Sequence, residues 1–292
     1  MTPNRRFPHL GRLAGGMVLV LALGVAFCLA PATPAGAEDG RRLALLVGVG
    51  SFGDRALPDL DYAHRDVSLV RNWLLDPQGG GFAPGDVRVL LDEQATRAGV
   101  LAAAEAMARR AGPEDLVLLY FSSHGFYTQD QVVGIVCHDT RPTGQTGPQG
   151  GPIVERGTAL TRDDLYAYLA RLQSRQRVVI VDACHSADLT EPERPAQRDD
   201  TPPRDERGIT LVLASCLQAQ RAWESNELGA SIFTYFILEG LKVNGGDLVR
   251  AFLHAQRETE RQAQCEKGWC QTPYIIMLPS QGKLLLGPEH EG

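Results

Sequence analysis

Residues Val178–Asp188 read VVIVDACHSAD. Four β-branched apolar side chains run straight into a carboxylate, a thiol and an imidazole. A short, unbroken apolar run bounded by polar residues is the pattern of a strand buried on both faces. Alone, Cys184 would be read as a small core hydrophobe. Its meaning depends on what else the chain delivers to the end of that strand.

Working outward, five more runs look alike: residues 41–48 (RRLALLVG), 86–91 (DVRVLL), 116–121 (LVLLYF), 209–214 (ITLVLA) and 274–278 (YIIML). Between them lie stretches with helical spacing. Ala63, Val67, Val70, Trp73 and Leu74 mark a helix over 61–75. Further helices are expected over 96–111, from Thr161 to about Gln173, over 231–243 and over 247–262. Thr161 is a good N-cap, with Asp163 and Asp164 in the first turn, where acids complement the helix dipole. Strands alternating with helices predict an α/β fold, a three-layer αβα sandwich with a mostly parallel central sheet. In such sheets, chemistry gathers beyond the carboxyl ends of the strands. Residues 139–156 are rich in Gly and Pro and read as a loop. Residues 187–207, with many charges and almost no apolar side chain, read as a mobile linker.

Two strands end on reactive groups. The 116–121 run continues into Ser122-Ser123-His124-Gly125, and the 178–181 run into Asp182-Ala183-Cys184-His185. If the strands are neighbours, a thiol and an imidazole meet at the sheet edge, the minimum for cysteine nucleophilic catalysis. His124 would then serve as general base or as ion-pair partner of a thiolate. His185 is a poor alternative, because adjacent residues seldom face each other. Cys137-His138-Asp139 fails as a relay for the same reason, and Cys216 reads as a core thiol.

Residues 1–37 resemble an export signal, with Arg5, Arg6 and Arg12 ahead of an apolar stretch and Ala35-Gly36-Ala37 as an A-x-A cleavage site. An uncleaved membrane anchor is the alternative. The remaining 255 residues carry 26 basic and 35 acidic side chains, a formal charge of −9. That balance disfavours nucleic acid and anionic membranes as partners, and favours basic substrates or cations. Cleavage leaves five cysteines, of which Cys265 and Cys270 could form a local disulfide. No oligomeric state follows from the sequence.

YFSSHGF and VVIVDACHSAD resemble the His and Cys motifs of the caspase-like cysteine peptidases (clan CD, C14 type), the latter most like bacterial metacaspase and orthocaspase relatives. RRLALLVGVGSFGD, LPDLDYAHRDVSLVRNWLL, LVLASCLQAQRAWE, GASIFTYFILEGL and QTPYIIM resemble further family segments in the same order. The likeness runs over residues 41–280. It implies a large-subunit-like part at 41–186, a linker at 187–208 and a small-subunit-like part at 209–285.

The resemblance implies roles. Cys184 would be the nucleophile, His124 its base, and the N–H groups of Gly125 and Cys184 the oxyanion hole. The matching S1 positions are Asp66, Ser122 and Asp182, two carboxylates that fit a guanidinium or ammonium and repel a substrate aspartate. The implied partner is therefore a polypeptide with Arg or Lys at the cleavage position. Relatives often need Ca²⁺, for which Asp139, Asp163, Asp164 and Asp188 are the candidate ligands, hard oxygens of the kind the ion prefers. Arg194, Arg198, Arg204 and Arg207 in the linker are candidate self-cleavage sites. The rival function is a catalytically silent interaction module, which the paired Cys184 and His124 oppose.

Overall fold

The computed structural model describes residues 40–278 and 286–287, except 129, 131, 148–151, 185–207 and 218–219. The leader over 1–37 and most of the linker lie outside the described residues. In chain order the elements are β1 (Arg42–Gly48), α1 (Ala63–Leu75), β2 (Val87–Leu91), α2 (Arg97–Ala108), β3 (Leu116–Ser122), β4 (Gly125–Tyr127), β5 (Val133–Ile135), β6 (Pro142–Thr146), β7 (Pro152–Val154), β8 (Leu160–Thr161), α3 (Arg162–Arg171) and β9 (Gln176–Asp182). They continue with β10 (Ile209–Ala214), β11 (Glu224–Ser225), β12 (Ala230–Ser231), α4 (Ile232–Val243), α5 (Leu248–Lys267) and β13 (Tyr274–Leu278).

The central sheet has the order β13-β10-β9-β3-β1-β2. Every pairing is parallel except β10 with β13. Its inner strands carry apolar residues on both faces through their middles because both faces are covered. Leu43, Leu45, Val117, Leu119, Val179 and Val181 face one apolar layer with Val100 and Met107 of α2 and Leu165 and Leu169 of α3. The alternate residues Leu46, Leu118, Tyr120, Val178 and Ile180 face the other, with α1, α4 and α5 supplying Val67, Phe233 and Phe252 among others. The αβα sandwich expected from the alternation is the architecture found.

The helix ends follow the local chemistry. Thr96 caps α2 by accepting from the Gly99 N–H. Thr161 and Asp164 form a capping box that starts α3. The last helix, expected to stop at Gln262, runs on to Lys267 and ends at Gly268, whose φ of 70° closes it in the left-handed region. The Gly/Pro-rich segment 139–156, expected as loop, contains the antiparallel pair β6–β7. Pro142 and Pro152 stand first in their strands, where no ladder donor is lost. Cys265 and Cys270 are exposed free thiols, not the disulfide considered above.

Candidate active site

β3 and β9 are direct neighbours, and Ser122 stands opposite Asp182 at their carboxyl ends. The ladder extends one step, the Ser123 N–H donating to the Asp182 carbonyl at 3.2 Å. Both chains therefore leave the sheet together, and His124 and Cys184 line one cavity of about 540 Å³. Gly125, Asp66, Ser122 and Asp182 line it as well. The six residues singled out as nucleophile, base, oxyanion hole and S1 wall thus lie in a single pocket. Asp139, Asp163 and Asp164 do not line it.

His124 is fixed from two directions. Its Nε2 lies 2.7 Å from the Pro58 carbonyl oxygen. A carbonyl only accepts, so Nε2 carries the proton and Nδ1 keeps its lone pair. The Phe52 ring stacks on the imidazole at 5.1 Å between centroids, 22° from parallel. Burial holds the His124 pKa below the ordinary imidazole value, and the Pro58 contact and the charge of Asp59 only partly oppose it.

Cys184 follows the strand on a backbone bracketed by Ser215, whose hydroxyl accepts from the Ala183 N–H at 3.2 Å and donates to the Ala183 carbonyl at 3.1 Å. The thiol donates to the Ala222 carbonyl at 4.0 Å. Burial raises the Cys184 pKa, with the Ala222 contact and the charge of Arg221 opposing. An imidazole held below its ordinary value and a thiol held above its own favour the neutral form of each group over a preformed ion pair. Gly125 is required by contact. A Cβ placed there would sit 1.8 Å from the Cys184 carbonyl oxygen, so no larger residue lets the two backbones meet.

The acids at the pocket floor are buried. Asp66 is 1% exposed and Asp182 4%. Asp66 accepts from the Ser122 hydroxyl at 3.0 Å and the Ser231 N–H at 2.9 Å. Asp182 accepts from the hydroxyls of Ser231 and of Thr234, the latter at 2.6 Å. Those donors are neutral. Burial pushes Asp66 well above the usual carboxylate range, and the neighbouring charge of Asp182 adds to it. Burial raises Asp182 likewise, partly offset by the Ser231 and Thr234 hydroxyls. Glu224 joins the same wall, accepting from the Tyr62 and Asp61 N–H groups at 2.7 and 3.1 Å. Burial raises its pKa too.

Ser231, Thr234 and Glu224 were not picked out from the sequence. A signal existed for the first two: hydroxyls three residues apart at the head of an otherwise apolar helix need buried partners. The carbonyls of Pro58 and Ala222 carried no signal, since any residue supplies one.

The candidate calcium ligands are engaged elsewhere. Asp139 accepts from the Arg97 N–H at 2.8 Å, and Asp164 from the Arg97 guanidinium at 2.7 Å. Asp163 pairs with Arg156. Among the described residues no group of three or more His, Cys, Asp or Glu side chains is placed to hold a metal. Asp188 lies outside the described residues. Guanidinium groups already pair with Asp164 and Asp163 and a backbone N–H holds Asp139, so these three acids as placed do not fit a divalent ion.

Comparison with known proteins agrees with this architecture. The profile of the caspase domain family, peptidase C14, matches residues 41–278. Metacaspase-1 of Ajellomyces capsulatus is 33% identical over 97 residues, 31% of this chain and 26% of that protein. Metacaspase-1 of Saccharomyces cerevisiae is 31% identical over 97 residues, covering 31% and 22%. The match thus spans about a quarter of each of these relatives. Caspase-1 from Spodoptera frugiperda superposes with a TM-score of 0.58 at 13% identity, covering 87% of this chain and 92% of that one. A Geobacter sulfurreducens protein superposes at 0.55 and 21% identity, covering 83% and 95%. With the profile match extending over most of its length, the chain belongs to the caspase domain family of C14 peptidases.

Proposed function

We propose that the protein is a cysteine endopeptidase that cleaves after Arg or Lys. The observation that carries this reading is the floor of the cavity: two buried carboxylates with neutral donors only, beneath a thiol and an imidazole. An extended peptide enters with its basic side chain over Asp66, Ser122 and Asp182. The guanidinium supplies the positive charge these acids lack, which favours their ionised form. A substrate aspartate there adds a third negative charge and is rejected.

The chemistry follows from the two neutral groups. Nδ1 of His124 takes the Cys184 proton as sulfur attacks the scissile carbonyl, so the thiolate forms only as it is used. The N–H groups of Gly125 and Cys184 face the developing oxyanion. His124 returns the proton to the leaving amine, leaving a thioester on Cys184. A water then gives its proton to His124 and attacks that thioester, restoring the thiol and releasing the new carboxylate. Throughout, the Pro58 carbonyl holds the imidazole in the required tautomer and disperses the charge of the imidazolium. Calcium takes no part in this reading, because Asp164 and Asp163 already pair with the guanidinium groups of Arg97 and Arg156. The arginines of residues 194–207 fit the same preference, which makes the linker a self-cleavage substrate, and the leader directs the protein to export.

The test uses fluorogenic peptides ending in Arg, Lys or Asp. Turnover of the first two at least about 100-fold above the third is expected from a desolvated charge match. Faster hydrolysis of the Asp peptide sinks the specificity. An Arg-directed electrophile should label wild-type protein and not Cys184→Ala. Persistent labelling in that variant sinks the nucleophile. Wild-type protein incubated alone should yield fragments cut within 187–208, and an unchanged single band refutes self-cleavage.

A further inference from the structure

Asp92, directly after β2, adopts a conformation that demands an explanation. Its φ is 42°, the only positive value at a non-glycine among the described residues. Asp tolerates the left-handed region better than most residues, yet such a position is kept only where the surroundings over-determine it. Here the surroundings are a loop. One carboxylate oxygen of Asp92 accepts from the N–H groups of both Gly50 and Ser51, at 2.9 and 3.0 Å. The other lies 2.7 Å from Nε2 of His64. Burial alone would raise the Asp92 pKa, but the His64, Ser51 and Gly50 contacts outweigh it and hold the group ionised below the usual range.

The gripped loop touches His124 twice. Phe52, directly after Ser51, stacks on the imidazole. The Gly50 carbonyl accepts from the Leu60 N–H at 2.8 Å, closing the loop whose Pro58 carbonyl receives Nε2–H. A second brace comes from His138, whose Nδ1 lies 2.8 Å from the Ser51 carbonyl and whose own carbonyl accepts from the Gly53 N–H at 2.9 Å.

We propose that Asp92 is a positioning residue for His124: by holding the Gly50 and Ser51 amides it sets the loop that stacks Phe52 on the imidazole and aims the Pro58 carbonyl at Nε2. Asp92 touches neither substrate nor reacting atoms. The inference rests on the reading of His124 as the base. Misplacing a catalytic group by about 1 Å can cost up to about 100-fold in rate, and that loss falls on kcat because the S1 acids are untouched.

The experiment compares Asp92→Ala, Asp92→Gly and Asp92→Asn in the full chain. Glycine adopts the observed φ without strain, so Asp92→Gly keeps the turn while removing the carboxylate, and guards against a variant that fails to fold. Asn keeps an oxygen able to accept both amide protons. Asp92→Ala and Asp92→Gly should lose about 10- to 100-fold in kcat with KM within about two-fold, while Asp92→Asn stays within about three-fold of wild type. Histidine ¹⁵N spectra, with the His124 signal identified by its loss in His124→Gln, should show the Nε2–H tautomer dominant in wild type and in Asp92→Asn but mixed in the other two. Wild-type kcat in Asp92→Gly overturns the proposal, as does an equal loss in Asp92→Asn, which would place the effect in the charge and not in the grip. If wild-type protein hydrolyses no peptide, the peptidase reading fails separately. The spectra still decide the positioning, since an unchanged tautomer in Asp92→Gly refutes it.

Discussion

Two clusters of acids sit on this molecule, and they are built in opposite ways. At the cavity floor Asp66 and Asp182 are buried with only hydroxyl and amide donors around them. On the α2–α3 side, Asp164 pairs with the guanidinium of Arg97 and Asp163 with that of Arg156, while Asp139 takes the Arg97 backbone N–H. The electrostatics follow. Burial raises both floor acids, Asp66 well above its usual range. Burial of Asp164 is outweighed by the Thr161 and Arg97 contacts, and its pKa is lowered. A carboxylate pair that lacks its cation is poised to receive one from a ligand. A carboxylate that owns its cation is part of the scaffold.

The largest expected effect tests the floor. Asp66→Asn keeps the shape and both hydrogen bonds, because the amide oxygen can accept from Ser231 and the amide nitrogen donate to the Ser122 oxygen. It should lower kcat/KM for an Arg peptide by about 10²- to 10³-fold, the cost of unpairing a desolvated charge. Its Tm should be unchanged or raised, because an uncompensated buried acid destabilises the fold. Asp139→Asn, by contrast, should leave kcat/KM within about three-fold. Steady-state kinetics and thermal melts of the two variants decide the matter. Comparable kinetic losses in both would erase the distinction drawn between the clusters.

The pH dependence should separate the groups next. Asp66 and Asp182 must be ionised to hold a guanidinium, so KM for an Arg peptide should fall as pH rises through their raised pKa values. The same peptide ending in neutral citrulline should show no such trend. The acid limb of kcat should lie below the ordinary imidazole value, because His124 acts as a base and burial has lowered it. The stability signs are opposite in the two clusters. The folded protein binds more protons than the unfolded chain at the floor, so that contribution to stability falls as pH rises above the ordinary carboxylate range. At Asp164 the folded pKa is depressed, so its contribution is present above the ordinary value and lost as pH falls through the lowered one. An acid limb at or above the ordinary imidazole value would break the assignment of a neutral dyad.

How much of this was legible in the sequence follows from where the information resides. The central strands carry their own signal, since each must be apolar on both faces, and β10 and β13 begin and end where the apolar runs do. The pairs β4–β5 and β6–β7 carry none. They are local hairpins whose strands are three to five residues long, too short for an apolar alternation to show, with Gly, Pro and Thr among their residues. The site divides the same way. Cys184, His124 and the acids are side chains in marked motifs at strand ends. The Pro58 and Ala222 carbonyls and the Phe52 stack depend on how loops return, which no spacing encodes. The acids at 139, 163 and 164 are the reverse case. The family resemblance implies them as ligands, and only the fold brings the Arg97 N–H to Asp139 and its guanidinium to Asp164.

Arg97 therefore offers the finest test of the contrast between the clusters. Its Nε donates to the Ala159 carbonyl at 3.0 Å and its terminal nitrogen to Asp164 at 2.7 Å. The side chains of Arg97 and Asp164 are 29% and 20% exposed, so water screens the pair in part. Arg97→Met keeps most of the apolar stem and removes the charge, leaving Asp164 half-buried without its cation. A loss of about 1–3 kcal/mol is expected for a charged hydrogen bond of this kind, or a few degrees in Tm for a domain of this size. Millimolar Ca²⁺ should restore part of that loss in Arg97→Met by pairing with the uncompensated Asp164. It should leave the Tm of the wild type unmoved, and a chelator should leave wild-type peptide hydrolysis unmoved. A wild-type melt that shifts upward with Ca²⁺ would mean that the ion competes successfully with Arg97, and that the scaffold cluster is a ligand site after all.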